Sequence, residues 1–295
     1  MVSFVRLATT FAAAPGESLL SWLSRLCAAN DISTSEFSLQ IMGREAGEFA
    51  ALATRDEHAL ALECVTGVGA ASIREMMHSG PDPALTTFFD QPIPWSSVER
   101  SKRRIAPGRL AKDQTPFLRA LWSIRVISCE PTSGERLVSR CTCGQPLWWS
   151  SMHRLLECAS CGTDLRSIPM AMGTDEEIKV SRFWASMYSL KPRRRIEARS
   201  MLYPAVRDCD PAKLVQFAEF VGAIRELAPY GGLHTGTLIL LGLPQSVQQL
   251  SVSWRRAVER AMVEFLSSEF CGAARGEPAK NRIQSSMRPV CRTRV

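Results

Sequence analysis

Cys141-Thr142-Cys143-Gly144 and Cys158-Ala159-Ser160-Cys161-Gly162, with fourteen residues between Cys143 and Cys158, decide how this chain is read. Four of the ten cysteines fall in this short stretch, and the other six are scattered. A disulfide scaffold spreads its cysteines through a short secreted chain, whereas clustered pairs point to metal. Tetrahedral Zn²⁺ takes four thiolates at roughly 2.3 Å, and two tight turns with two thiolates each supply them. The glycine after each pair permits the left-handed backbone such a turn requires. The run from Pro146 to Leu156 reads as a β-hairpin between the knuckles, which makes the whole a zinc ribbon holding one structural Zn²⁺. The first knuckle is C-x-C, one residue short of the usual spacing. His153 in place of one cysteine, or Cys129 as an added ligand, therefore stays open, as does plain packing of the cysteines as small apolar groups. A four-cysteine site has no open coordination position, so its role is structural rather than catalytic.

Outward from the cysteines, the pattern is helical. Leu19, Trp22, Leu23, Leu26 and Cys27 recur at helical spacing over 18–28. Ser33-Thr34-Ser35-Glu36 is a capping box opening a second short helix that stops at Gly43. Thr54-Arg55-Asp56-Glu57 repeats that signature before Leu60, Leu62 and Val65. Thr66 to Gly69 makes a turn, and Ala70–His78 gives a fourth helix that ends at Gly80-Pro81-Asp82-Pro83. These are two helix-turn-helix candidates. Past Pro169, stripes over 176–190, 212–227 and 247–266 predict three further helices. The expected fold is mainly α with a small β zinc ribbon. Its divisions are an N-terminal helix-turn-helix domain over 1–80, a proline-rich linker over 81–116 and a zinc-ribbon module over 117–168. A C-terminal helical domain over 169–270 and a basic disordered tail over 271–295 complete it.

The chain has 36 basic and 29 acidic residues, a formal charge of +7, which permits nucleic-acid binding without requiring it. The cations are clustered. Arg100, Lys102, Arg103 and Arg104 form one group and Lys191, Arg193, Arg194 and Arg195 another, and both are candidate phosphate contacts. No apolar run reaches the roughly 18–20 residues of a membrane span, and Leu7–Ala14 is too weak for a signal peptide. A cytoplasmic protein without membrane contact is expected. No phosphate-binding glycine loop, nucleophile elbow or H-E-x-x-H motif occurs, and the four histidines show no metal or triad spacing, so no enzyme is expected.

The order of motifs resembles one family. Glu17 to Leu26 is similar to the opening helix of the TniQ/TnsD family of transposition proteins. Leu62 to Val68 followed by Ile73-Arg74 resembles that family's next helical pair, and Phe117 to Trp122 with the run Cys129–Cys161 resembles its zinc region. The resemblance implies two zinc sites. At the places of the first, this chain has Ala106-Pro107-Gly108-Arg109-Leu110 and Cys129-Glu130-Pro131-Thr132, which lack three of four ligands. That site is expected to be lost, with Cys129 as its remnant.

The resemblance also implies a function: an adaptor that helps a transposon select target DNA. Its implied partners are DNA, a CRISPR effector complex with its guide RNA, an AAA+ transposition regulator, and a second copy of itself. The competing expectation is a zinc-ribbon and helix-turn-helix transcription regulator, with Ser33–Met42 or Ala70–Met77 entering the major groove.

Overall fold

The computed structural model describes residues 6–42, 46–54, 56, 58–78, 84–202, 204–223 and 233–241. The helix expected over 247–266, the tail 271–295, Gly43, Glu57 and Gly80–Pro83 lie outside the described residues. Helix α1 spans Leu19–Ala29, with the Ser18 hydroxyl accepting from the Ser21 amide at its start. Its expected stripe of Leu19, Trp22, Leu23, Leu26 and Cys27 is buried. Helix α2 covers Thr34–Met42 and opens on the expected box. The Ser33 hydroxyl accepts from the Glu36 amide at 3.1 Å, and the Glu36 carboxylate accepts from the Ser33 amide at 2.8 Å. A 3₁₀ stretch, Ala46–Ala53, leads to α3 (His58–Thr66) and the six-residue α4 (Ala70–Glu75). The arm before α1 lies along it, with the Trp22 indole donating to the Phe11 carbonyl and the Arg25 guanidinium stacking on the Phe11 ring.

Within the stretch 81–116 expected as a linker, residues 84–112 are folded. Strands β1 (Leu85–Phe88) and β2 (Gln91–Pro94) pair antiparallel, with Thr86 opposite Ile93. Phe89 and Asp90 between them have φ of 47° and 60°, the two left-handed residues of a type I′ turn. Ile93, Val98, Ile105 and Leu110 are all fully buried, and Pro107 opens the short helix α5 (Pro107–Lys112). Then come α6 (Asp175–Met187), α7 (Pro192–Ser200), α8 (Pro211–Ala223) and α9 (Leu233–Leu240). The helix expected over 176–190 thus ends at Met187, and a four-residue turn follows it. No helix among the described residues is long and apolar enough to cross a membrane.

Two apolar cores result. The first joins the arm and α1–α5 to Leu147, Trp149, Met152 and Leu155 of the cysteine region. The second joins the hairpin to α6–α9. One segment serves both. Leu118 and Trp122 enter the first core, while Ala120, Ile124, Val126 and Ile127 enter the second. A 3₁₀ turn, Ala120–Ser123, interrupts the segment, so residues two apart no longer share one face and divide between the two cores.

The hairpin expected between the knuckles does not form among the described residues. Residues 146–149 pair instead with 101–103. The Arg103 amide donates to Leu147 O at 2.7 Å, and the Trp149 amide donates to Ser101 O at 2.9 Å.

Two buried ionisable groups make this packing testable. The Glu135 carboxylate, fully buried, accepts from the amides of Gly108 and Arg109 at 2.7 and 3.0 Å and so closes the start of α5. Hydrogen bonds to a charged group contribute about 1.5–3 kcal/mol. Glu135→Ala is expected to lower unfolding free energy by about 2–3 kcal/mol in denaturant titration, with Glu135→Gln recovering part of the loss. Burial pushes the His78 imidazole, stacked on Phe88, down to about 4. Between pH 6.5 and 4 the unfolded chain then binds more protons than the folded one. Above that window His78 leaves stability unaltered, and through it stability falls by up to ~1.4 kcal/mol per pH unit. His78→Phe is expected to flatten the stability profile in that window, and an unchanged acid slope would count against it.

Candidate metal centre and basic surfaces

The four cysteines reach one point from two turns. In the first, the Gly144 amide donates to Cys141 O and the Cys141 amide donates to Gln145 O, both at 2.9 Å. In the second, the Gly162 amide donates to Cys158 O and the Cys158 amide donates to Thr163 O, again at 2.9 Å. The missing residue of the first knuckle therefore shortens its turn by one position and leaves the closing pattern intact. Gly144 and Gly162 both have positive φ, 85° and 72°, as the turns require.

All four Sγ atoms lie within 4.8 Å of one another. Cys141 Sγ is 3.6 Å from Cys161 Sγ, and Cys143 Sγ is 3.8 Å from Cys158 Sγ. A tetrahedron with metal–sulfur bonds of about 2.3 Å has sulfurs about 3.8 Å apart, so the donors fit a zinc-sized ion. The Thr163 hydroxyl, 3.0 Å from Cys161 Sγ, holds that thiol down to about 6. Thiols this close repel one another when ionised, and a divalent cation removes the conflict. His153 and Cys129 lie outside the cluster. Cys129 is buried against Ser128 and Ser181, and burial raises its thiol. The two places that the resemblance assigns to a first metal are linked through Glu135, whose chain also pairs with Cys129 across the Cys129–Arg136 bridge.

The basic cluster 100–104 divides. Arg103 is 1% exposed, and its guanidinium donates to the carbonyls of Arg154, Leu155 and Glu157, just ahead of the second knuckle. Arg104 donates to the carbonyls of Trp122, Ile124 and Ile127. Burial pushes both guanidinium groups down to about 10, so both are charged at neutral pH. Neither is free to meet a phosphate, and both are withdrawn from the expected nucleic-acid surface. Runs of charge along a sequence do not reveal which members turn inward. Arg100 and Lys102 stay at the surface, stacked on Trp95 and Trp148 at 4.7 and 4.9 Å. Trp148 is itself 38% exposed. In the second cluster Lys191, Arg193 and Arg194 are exposed, while Arg195 is half-buried and donates to Ser189 O.

The arm, α1–α5, the hairpin and the segment 118–127 together span the first 130 residues, and residues 8–130 match the model of the TniQ family. Over these residues the chain is similar to the TniQ family. No curated protein matches the chain. The TniQ match ends at Glu130, ahead of the four cysteines and of α6–α9, and takes in under half of the 295 residues. Inside it, sequence reasoning missed Glu17. That carboxylate is 1% exposed and accepts from the Ser21 hydroxyl, the Ala14 amide and Arg25, locking the arm to α1. An acid directly before a capped helix with a cation eight residues on was its only signal.

The cysteine geometry predicts about one zinc per chain by elemental analysis. Chelation is expected to lower the melting temperature, by about 4 kcal/mol equivalent at a thousandfold excess of zinc over its Kd. Arg103 places a buried cation beside Cys158 and holds the backbone that feeds it. Arg103→Ala is expected to weaken zinc about tenfold in chelator competition, and full retention of affinity would sink that positioning role.

Proposed function

We propose that this chain is a TniQ-type transposition adaptor that helps select target DNA and recruits an AAA+ regulator. The TniQ match over 8–130 carries the reading. In it the four cysteines, Cys141, Cys143, Cys158 and Cys161, hold one structural Zn²⁺, and the protein performs no chemistry of its own. Its target is reached by binding DNA, by docking on a CRISPR RNA-guided effector, or by both. The exposed cations Arg100, Lys191, Arg193 and Arg194, with the half-buried Lys102, are the surfaces for nucleic acid. Their positions on stacked aromatics and on an exposed helix support this, because such groups meet phosphates without prior desolvation. The zinc ties the cysteine region into the first core and needs no role in the targeting event. A second copy of the chain is a further expected partner.

Tagged protein purified from its native host, in the presence of ATP, tests the reading. An AAA+ ATPase retained through gel filtration is the expected result. An RNA-bearing complex in the same peak would select the CRISPR-docked branch. Protein that retains no ATPase but protects one specific duplex would replace the adaptor with a transcription regulator.

A further inference from the structure

Helix α7 has little reason to exist as a folding element. Of its nine residues only Ala198 is buried. From Lys191 to Ser200 the chain carries five cations, Lys191, Arg193, Arg194, Arg195 and Arg199, against one anion, Glu197. Isolated helices of this length are marginal in water, and like charges packed together destabilise them further. The helix is held from outside. Arg195 donates to Ser189 O at 2.7 Å and closes the turn before it. Arg199 donates to Arg207 O and Cys209 O and fixes the far end. Tyr188, fully buried, anchors the same turn by donating to Pro92 O on the hairpin. Two arginines and Ala198 thus occupy the inner side.

At about 100° per residue, the outer side presents Arg193, Ile196, Glu197 and Ser200, with Arg194 beside them. The Arg193 side chain is 91% exposed and Ile196 is 68% exposed. The exposed Arg193–Glu197 pair at 2.9 Å contributes little to stability. A fixed, cationic helix carrying an unburied isoleucine asks for a polyanion with an apolar feature in reach.

We propose that α6, the turn 188–191 and α7 form a helix-turn-helix in which α7 enters the major groove of duplex DNA. The supporting helix is α6, which buries Val180, Phe183, Trp184 and Met187 in the second core and starts with a full Thr174–Glu177 capping box. The four-residue turn and Pro192 at the first position of α7 separate the second helix from the first. A helix with side chains is about 10–12 Å across, and the major groove is about 12 Å wide. Arg193 and Arg194 lie at the N-terminal end, where a groove-bound helix meets base edges. Ile196 faces the thymine methyl, the apolar feature of that groove. Lys191, ahead of the helix, meets phosphate.

The N-terminal pairs are poorer readers. Helix α2, Thr34–Met42, has no basic residue. Helix α4 has six residues, and its Arg74 pairs with Asp56 at 2.9 Å. An acidic protein or a single-stranded RNA would also suit the charge. Neither accounts for one isoleucine centred between arginines on a rigid helix of groove width.

This inference rests on the targeting reading, and its test separates the two. Full-length protein is titrated with mixed-sequence duplexes by fluorescence anisotropy across a salt series, alongside an Arg193→Ala, Arg194→Ala double variant. Arg193, Arg194 and Ile196 are all exposed, so melting temperatures are expected to match. The double variant is expected to bind at least tenfold more weakly, with a salt slope smaller by about two. In selection from a random duplex library, Ile196→Ala is expected to lose preference for thymine while keeping non-selective affinity. Wild-type affinity and slope in the double variant would overturn the proposal. So would binding confined to single-stranded RNA or to protein. Failure here with the AAA+ ATPase still retained removes α7 alone. Duplex binding through α7 with no ATPase partner removes the adaptor reading and leaves α7 standing.

Discussion

The structure hangs on two neighbouring buried cations. Arg103 and Arg104 follow one another on an extended segment, so their side chains leave on opposite sides. One takes the carbonyls of Arg154, Leu155 and Glu157, and the other those of Trp122, Ile124 and Ile127. A buried guanidinium is costly unless its donors are satisfied, and here the terminal nitrogens of both are met by backbone carbonyls rather than by acids, while Arg103 Nε has no partner. Their reward is geometric. Carbonyls of irregular chain, which no sheet or helix would pair, are gathered at fixed points. The cysteine region and the segment 118–127 are held to one strand by adjacent residues.

That arrangement explains which features were legible in the sequence. Helix α1 was legible because its core contacts lie within one turn of each other and repeat at helical period. The knuckles were legible because four ligands of one ion must be cysteines at close spacing. The expected hairpin between them was not realised because its backbone is spoken for elsewhere. Arg103 takes the carbonyls at 154, 155 and 157, and residues 101–103 pair with 147–149. Residues 81–116 were hidden for a different reason. Their turn is made by Phe89-Asp90 rather than Asn-Gly, and β2 carries Pro92 and Pro94, both contrary to strand signals. Inward arginines were read as outward ones because charge alone does not report burial.

The cysteine region lies beyond the end of the TniQ match, yet it does not form a core of its own. Leu147, Trp149, Met152 and Leu155 are buried with α1 and α2, and the Thr34 hydroxyl donates to Met152 O at 3.2 Å. A metal ion held there would brace α1 and α2 as much as the turns around it.

The second core meets the first through residues that cannot slide. Within 118–127, Leu118 and Trp122 enter the first core and Ala120, Ile124, Val126 and Ile127 the second, and Arg104 pins the carbonyls of Trp122, Ile124 and Ile127. Rotating one core about this segment would expose apolar groups from both sides at once. At about 25 cal/mol per Å², losing even a few such side chains outweighs a surface contact elsewhere. The segment 118–127 thus joins the core that holds α1–α5 to the core that holds α6–α9. A protein that must bring one surface to nucleic acid and another to a partner gains register from such a segment, where a flexible linker would spread the same two surfaces over many distances.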